Sequence, residues 1–261
     1  MSGRIFYFTI GKGRDINTRL IFLISCLAIT LSGYAMQPVV ILMGGAVTPL
    51  GQQSQTLYYA NTVFKYQPHD SSALKPLVGG FIGAEYPFNE MWAWQSGLAF
   101  YQAASSSIDG EEAQAPILNL DAVNIWNYQY KISSRQLLFE NKLLLALHEY
   151  YHPYVLIGLG AGFNHAYEFQ VTPQNSGEVA TAIFGGHTNT TFIYMAGLGL
   201  DIDVSENMRI GAGYRFVYLG KYDLGNGMLD TGAGGSVFSL PALKSAHSYN
   251  HEVLIQLTYL I

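Results

Sequence analysis

Residues 191–220 read TFIYMAGLGLDIDVSENMRIGAGYRFVYLG. Phe192, Tyr194, Ala196, Leu198, Leu200 and Ile202 occupy every second position, with Thr191, Gly197, Gly199, Asp201 and Asp203 between them. After Ser205-Glu206-Asn207 the alternation resumes. Met208, Ile210, Ala212, Tyr214, Phe216 and Tyr218 oppose Arg209, Gly211, Gly213, Arg215 and, further on, Lys221. A period of two puts successive side chains on opposite faces of a β-strand. The stretch therefore predicts two antiparallel strands joined by a tight turn, apolar on one face and small or polar on the other.

The same pattern recurs elsewhere in the chain. Val155, Ile157, Leu159, Ala161 and Phe163 oppose Gly158, Gly160, Gly162 and Asn164. At the C-terminus Val253, Ile255, Leu257, Tyr259 and Ile261 oppose Glu252, Gln256 and Thr258. Segments near 37–47, 75–87, 90–103 and 132–147 fit as well; in the last, Leu137, Phe139, Leu143 and Leu145 face away from Gln136, Glu140 and Lys142. That makes eight strands, most of them long enough for the 9–11 tilted residues that cross a bilayer. Their connections alternate between short (Pro87-Phe88-Asn89, His148–His152, Ser205–Asn207) and long, polar ones near 48–74, 104–131, 168–189 and 222–247. Short periplasmic turns and long external loops are the habit of outer-membrane barrels, and an even strand number puts both termini in the periplasm.

Aromatic residues gather in two bands. Tyr86, Trp92, Trp94 and Tyr259 fall near the turn side, and Phe100, Phe163, Tyr167, Phe192, Tyr194, Tyr218 and Tyr249 toward the loop side. Such belts sit at headgroup depth. Trp126 falls in a predicted loop and in neither band.

Composition agrees. Of 261 residues 49% are apolar and 12% charged, about half the ~25% charge of an average soluble domain, which excludes disorder. A net charge of −5 without a Lys/Arg cluster excludes a nucleic-acid partner. Residues 1–35 read as a secretory signal peptide: Arg4, Lys12, Arg14 and Arg19 precede the apolar run Leu20–Leu31 and the small residues Gly33 and Ala35. Past Ala35, nine Lys/Arg stand against seventeen Asp/Glu, net −8, and the single cysteine, Cys26, is gone. Residues 36–261 form one barrel domain, without thiol catalysis or a Cys-based metal site.

The chain resembles the small eight-stranded outer-membrane barrels, including opacity-type adhesins and the transmembrane domain of outer-membrane protein A. The resemblance rests on Gly197-Leu198-Gly199-Leu200-Asp201, Asn207-Met208-Arg209-Ile210, Tyr214-Arg215-Phe216 and Gly220. The last strand is similar to that family's assembly signal, with Tyr259 two residues before the end and Ile261 where Phe is customary. The resemblance implies an all-β, eight-stranded antiparallel up-and-down transmembrane barrel in the cell outer membrane. It also implies that the barrel is inserted by the barrel-assembly machinery, surrounded by lipid and monomeric.

The polar face lines the lumen, where charges need partners. The candidates are Glu85, Glu140, Lys142, Asp201, Asp203, Arg209 and Arg215, with Gln95, Lys221 and Gln256 beside them. Asp203 faces Arg209 across the 205–207 turn; Glu140 and Arg215 have matched depths, and the inward glycines leave them room to meet. A plug of ion pairs is the expected result. Trp92, Trp94, Phe192, Tyr194, Tyr218 and Tyr259 are the expected lipid-interface aromatics. No cofactor or metal motif is complete: at 201–212 the calcium-loop pattern has Glu206 and Ala212 where Gly and Glu are required. His165, beside Tyr167 at the outer rim, has no convincing serine neighbour in the sequence, which argues against lipid A chemistry. His69, His187 and His247 lie in loops and could meet outside. The function expected is surface interaction or envelope structure through four external loops, without enzymatic activity; a narrow channel for small or apolar solutes is the alternative.

Overall fold

The structure, a computed structural model, describes residues 36–261 apart from 51–53, 60, 70–73, 119–122, 149, 174–180, 231–237 and 246. The expected signal peptide, residues 1–35, lies outside the described residues. In chain order the strands are β1 (Gln37–Leu50), β2 (Gln55–Tyr59), β3 (Thr62–Pro68), β4 (Lys75–Pro87), β5 (Trp92–Ala103), β6 (Ser106–Pro116) and β7 (Asn124–Leu145). They continue as β8 (Tyr151–Pro173), β9 (Thr181–Phe184), β10 (His187–Ser205), β11 (Met208–Gly220), β12 (Gly227–Asp230), β13 (Phe238–Leu240) and β14 (Ser248–Leu260).

Eight of these close a ring. β1 pairs with β4, β4 with β5, β5 with β7, β7 with β8, β8 with β10, β10 with β11, β11 with β14, and β14 returns to β1, all antiparallel. Closure matters because a ring has no edge strand, so the wall presents no open row of backbone donors and acceptors to lipid. The alternation in the sequence becomes an outward apolar wall, with Leu42, Ile82, Leu98, Leu137, Ile157, Leu198, Ile210 and Ile255 exposed, and a polar lumen. Gln37 pairs with Glu85 and Leu260 with Val39, so the start of β1 and the end of β14 lie beside the Pro87–Trp92 turn. Asn89 makes that turn, its Oδ1 accepting the backbone N–H groups of Met91 and Trp92 at 2.9 Å each. The next tight turn holds His148 at φ +52°.

The long connections correct the sequence reading. Expected as loops, they carry strands of their own. β7 and β8 run 22 and 23 residues, about 70 Å at ~3.3 Å per residue, and so continue well past the wall. There β7 changes neighbour from β5 to β6, and β6, β3 and β2 extend the sheet in that order. A three-stranded sheet, β13-β12-β9, forms a second layer. Between the layers lies an aromatic core. Phe184 packs edge-on against Tyr66 and Phe169, at 5.8 and 5.0 Å between ring centres, and Tyr128 stacks on Tyr130 and Phe169. Trp126, expected in a loop, sits in β7 and is buried facing this core. Beside the barrel mouth, Tyr222, Leu224, Leu240 and Leu243 are also buried, and the Leu224 N–H donates to the Leu243 carbonyl at 2.9 Å.

Candidate functional site

The lumen is occupied in three tiers. Nearest the turns, Arg209 forks onto Glu85, with Nη1 to Oε2 at 2.6 Å and Nη2 to Oε1 at 3.1 Å. Its Nε donates to Asp203 Oδ1 at 2.8 Å. The other oxygen of Asp203 is 2.8 Å from His152 Nε2, and Gln95 Nε2 donates to Glu85 Oε2 at 2.6 Å. β10 and β11 impose this meeting, because Asp203 and Arg209 are direct cross-strand partners.

In the middle tier Lys142 Nζ donates to Asp201 Oδ2 at 2.6 Å and lies 3.9 Å over the Tyr154 ring. Gln256 donates to the second Asp201 oxygen and to Tyr154 Oη. The tyrosine fits because its facing wall is glycine. A Cβ on Gly199 or Gly213 would stand 2.4 or 2.3 Å from Tyr154 Oη.

In the third tier Arg215 Nε donates to Glu252 Oε2 at 2.5 Å, Nη1 to Glu140 Oε1 at 3.4 Å and Nη2 to Gln136 Oε1 at 3.4 Å. Its guanidinium carbon lies 3.4 Å over the Tyr101 ring, and Tyr101 Oη donates to Glu140 Oε1 at 2.8 Å. Glu140 and Arg215, matched by depth in the sequence, thus touch, but Glu252 is the closer partner. The alternation placed Glu252 inward; only the β11–β14 register puts it directly opposite Arg215. Gln136, set on the polar face by the alternation, also belongs to the network, as do Tyr101, Tyr154 and His152, which the sequence did not single out as lumen residues. Their inward parity was the available signal.

Lys221, expected inward, is exposed beyond the end of β11, because a register shift between Tyr218 and Gly220 breaks the alternation there. Three cations, Lys142, Arg209 and Arg215, thus meet five carboxylates: Glu85, Glu140, Asp201, Asp203 and Glu252. The void left among Tyr101, Glu140, Lys142, Tyr154 and Arg215 is about 20 Å³, the size of one water. A second void of the same size lies at the mouth, against Tyr222, Ser134 and Asn250.

The aromatics expected at the lipid interface all point outward. Trp92 and Trp94 stand by the Pro87–Trp92 turn and Tyr259 near the chain end; Phe192, Tyr194 and Tyr218 lie toward the other rim. Tyr194 stacks on Tyr218 at 4.8 Å. The loop histidines do not gather. His69 lies 3.9 Å from Glu111, His247 Nδ1 is 2.5 Å from Tyr218 Oη, and the His187 carbonyl faces His165. Among the described residues no group of three or more His, Cys, Asp or Glu is placed to hold a metal. His165 has serine neighbours after all: Ser133 is its cross-strand partner, and Ser105 bonds to Tyr167 at 2.9 Å. Its Nδ1, however, faces Thr188 Oγ1 and the His187 carbonyl, and among the described residues no carboxylate bonds to its ring.

In the outer lobe the exposed face of the sheet is polar. His69, Asp109, Asn127, Gln129, Gln170 and Thr172 line a recess of about 370 Å³. On the opposite, buried face Glu112 is fully enclosed next to Tyr66 and Trp126, its partners in adjacent strands. Burial pushes its carboxyl up to about 7, against the opposing effect of the Gln114 hydrogen bond.

A closed eight-stranded ring, apolar outside and lined with paired charges, defines an integral membrane barrel. Residues 38–237 match the family described as outer membrane protein beta-barrel domain, and the chain belongs to it; the protein resides in the cell outer membrane, surrounded by its lipid. No curated protein matches the chain. Among solved structures it is similar to Neisserial surface protein A, at 12% identity and TM-score 0.43, covering 86% of this chain and 98% of that one. It is similar as well to Ail, the attachment invasion locus protein of Yersinia pestis, at 10% identity and TM-score 0.37, covering 87% and 99%. A third is the outer membrane protease OmpT of Escherichia coli, at 8% identity and TM-score 0.49, covering 88% and 100%.

Proposed function

We propose that this protein acts at the cell surface as a sealed barrel displaying a folded β lobe, and that it neither conducts solutes nor catalyses a reaction. The observation that carries this reading is the Arg215 crossbar, which ties β11, β14 and β7 together across the lumen through Glu252 and Glu140. A solute path through that tier would require parting charges that are buried and mutually satisfied, at a cost of several kcal/mol per ion. The binding surface is the polar face of the lobe, where amides, hydroxyls and Asp109 line the recess; such groups suit a hydroxyl-rich or peptide ligand on another surface. Positions on strands of a packed lobe are better held than positions on long free loops, which favours recognition.

Reconstitution of the full chain in planar bilayers tests the seal. No steady conductance is expected, and a stable open level would overturn the reading. Display on cells, probed with arrays of glycans and matrix proteins, tests the lobe. Binding should fall when Asn127, Gln129 and Gln170 are replaced together by Ala while heat-modifiable migration stays unchanged.

A further inference from the structure

The outward face of the barrel is not uniform around its outer rim. Nine lysines and arginines follow residue 35, and Lys142, Arg209 and Arg215 are spent in the lumen. Only Lys131 and Arg135 stand on the outward face of a barrel strand, both on β7. Lys131 is neutralised by Glu168 at 2.6 Å. Arg135 is not paired with an acid: its Nε donates to Gln102 Oε1 at 3.0 Å, and among the described residues its two terminal amino groups have no acceptor.

Polar groups surround this cation in fixed positions. Arg135 lies in one cross-strand row with Gln102, Phe163 and Thr190, and the row above holds Ser133, His165 and Thr188. His165 is held by Thr188 Oγ1 at 2.9 Å and stacks on Tyr167 at 4.8 Å, and Tyr167 Oη is tied to Ser105 Oγ at 2.9 Å. Directly below Arg135 the wall is apolar: Leu137, Ala161 and Phe192 form the next row, and Phe139, Leu159 and Tyr194 the one beneath. Ala161 is the small member of that wall, set between Leu137 and Phe192 and one strand over from the column that carries Arg135, so the surface dips there.

We propose that this side of the rim is a binding site for one lipid of the outer leaflet that carries a phosphate monoester. The Arg135 terminal amino groups take two phosphate oxygens as a fork, the geometry guanidinium groups favour. Hydroxyl groups of the lipid head meet Thr190, Ser133 and His165 Nε2, and an acyl chain lies over the dip at Ala161. Further round the rim, Tyr218 on β11 stacks on His247 and packs against Tyr249 on β14, and Lys221 stands exposed just beyond the end of β11.

The test uses the full chain in nanodiscs of phosphatidylcholine with a minor share of phosphatidate, and native mass spectrometry counts the lipids retained. The wild-type barrel should keep one phosphatidate in preference to phosphatidylcholine. Arg135→Ala should lower that retention about tenfold, the value of one charge-assisted contact, while His247→Ala, beyond β10 along the rim and outside the site, leaves it unchanged. Ala161→Trp, which fills the dip but keeps the cation, should lower it as well and serves if Arg135→Ala fails to fold. Equal retention by wild type and both rim variants, or no preference over phosphatidylcholine, overturns the proposal. Displacement by excess inorganic phosphate would also overturn it, since that marks a free-phosphate site rather than a lipid site.

Discussion

Arg215 is the largest of the fully buried side chains, and its surroundings explain how so costly a group is tolerated. Glu252 and Glu140 supply charge, Gln136 another acceptor and Tyr101 a ring face. Removing one member of a buried, hydrogen-bonded pair costs about 3–5 kcal/mol because the other is stranded. Arg215→Met should therefore destabilise by that amount in a urea titration in lipid. Glu252→Gln should cost less, because Glu140 still holds the guanidinium, and the double variant should fall short of the sum. Strictly additive losses would show that the pair is not coupled. In the lobe, the Glu112 carboxyl titrates at about 7 when folded, against an ordinary value of 4.5. Between those values this carboxyl binds more protons folded than unfolded, so its contribution to the stability of the lobe is full below pH 4.5 and is lost as pH rises to about 7. At ~1.4 kcal/mol per pH unit the loss is of order 3 kcal/mol. With Trp92 and Trp94 replaced by Phe, Trp126 fluorescence reports the lobe alone. Its urea midpoint should drop from pH 5 to pH 8, and Glu112→Gln should abolish that drop. An unchanged wild-type midpoint would refute the assignment.

The strands that cross the membrane were legible because their two faces differ. Leu198 and its neighbours alternate with glycine and charge, so hydropathy alone shows the period. The strands of the outer lobe were not. In β6, Ser106, Gly110, Glu112 and Gln114 point inward while Asp109 and Glu111 point out, so both faces are polar and no hydropathy period survives. The alternation of Trp126, Tyr128 and Tyr130 in β7, all buried, was the one visible trace of the lobe. Leu198 is exposed to the bilayer at mid-strand, where Arg costs about 2–4 kcal/mol in such barrels. Leu198→Arg should lower unfolding free energy by that amount in lipid, while Gln129→Arg, on the exposed face of the lobe, should leave it near wild type. Equal effects would contradict the register.

At the scale of the molecule, β14 closes the ring, paired with β1 on one side and β11 on the other. Its end is fixed by the Ile261 N–H on the Pro38 carbonyl at 2.9 Å and the Leu260 N–H on the Asn207 carbonyl at 2.8 Å. Deleting Tyr259–Ile261 should unzip the seam at the turn end and eliminate folded, heat-modifiable protein from membrane extracts; a normal yield would contradict this. The eight crossing strands, their inward and outward faces and the need for charge pairing in the lumen can all be read from the amino-acid order alone. Each follows from a period of two and from the cost of an unpaired charge, both local or compositional properties. The tertiary structure decided which charges meet, since Glu252 reaches Arg215 only through the register of strands 37 residues apart. It also decided that the long connections fold, because the aromatic core of the lobe draws on β3, β7, β8 and β9, and no single segment carries enough apolar surface to announce it.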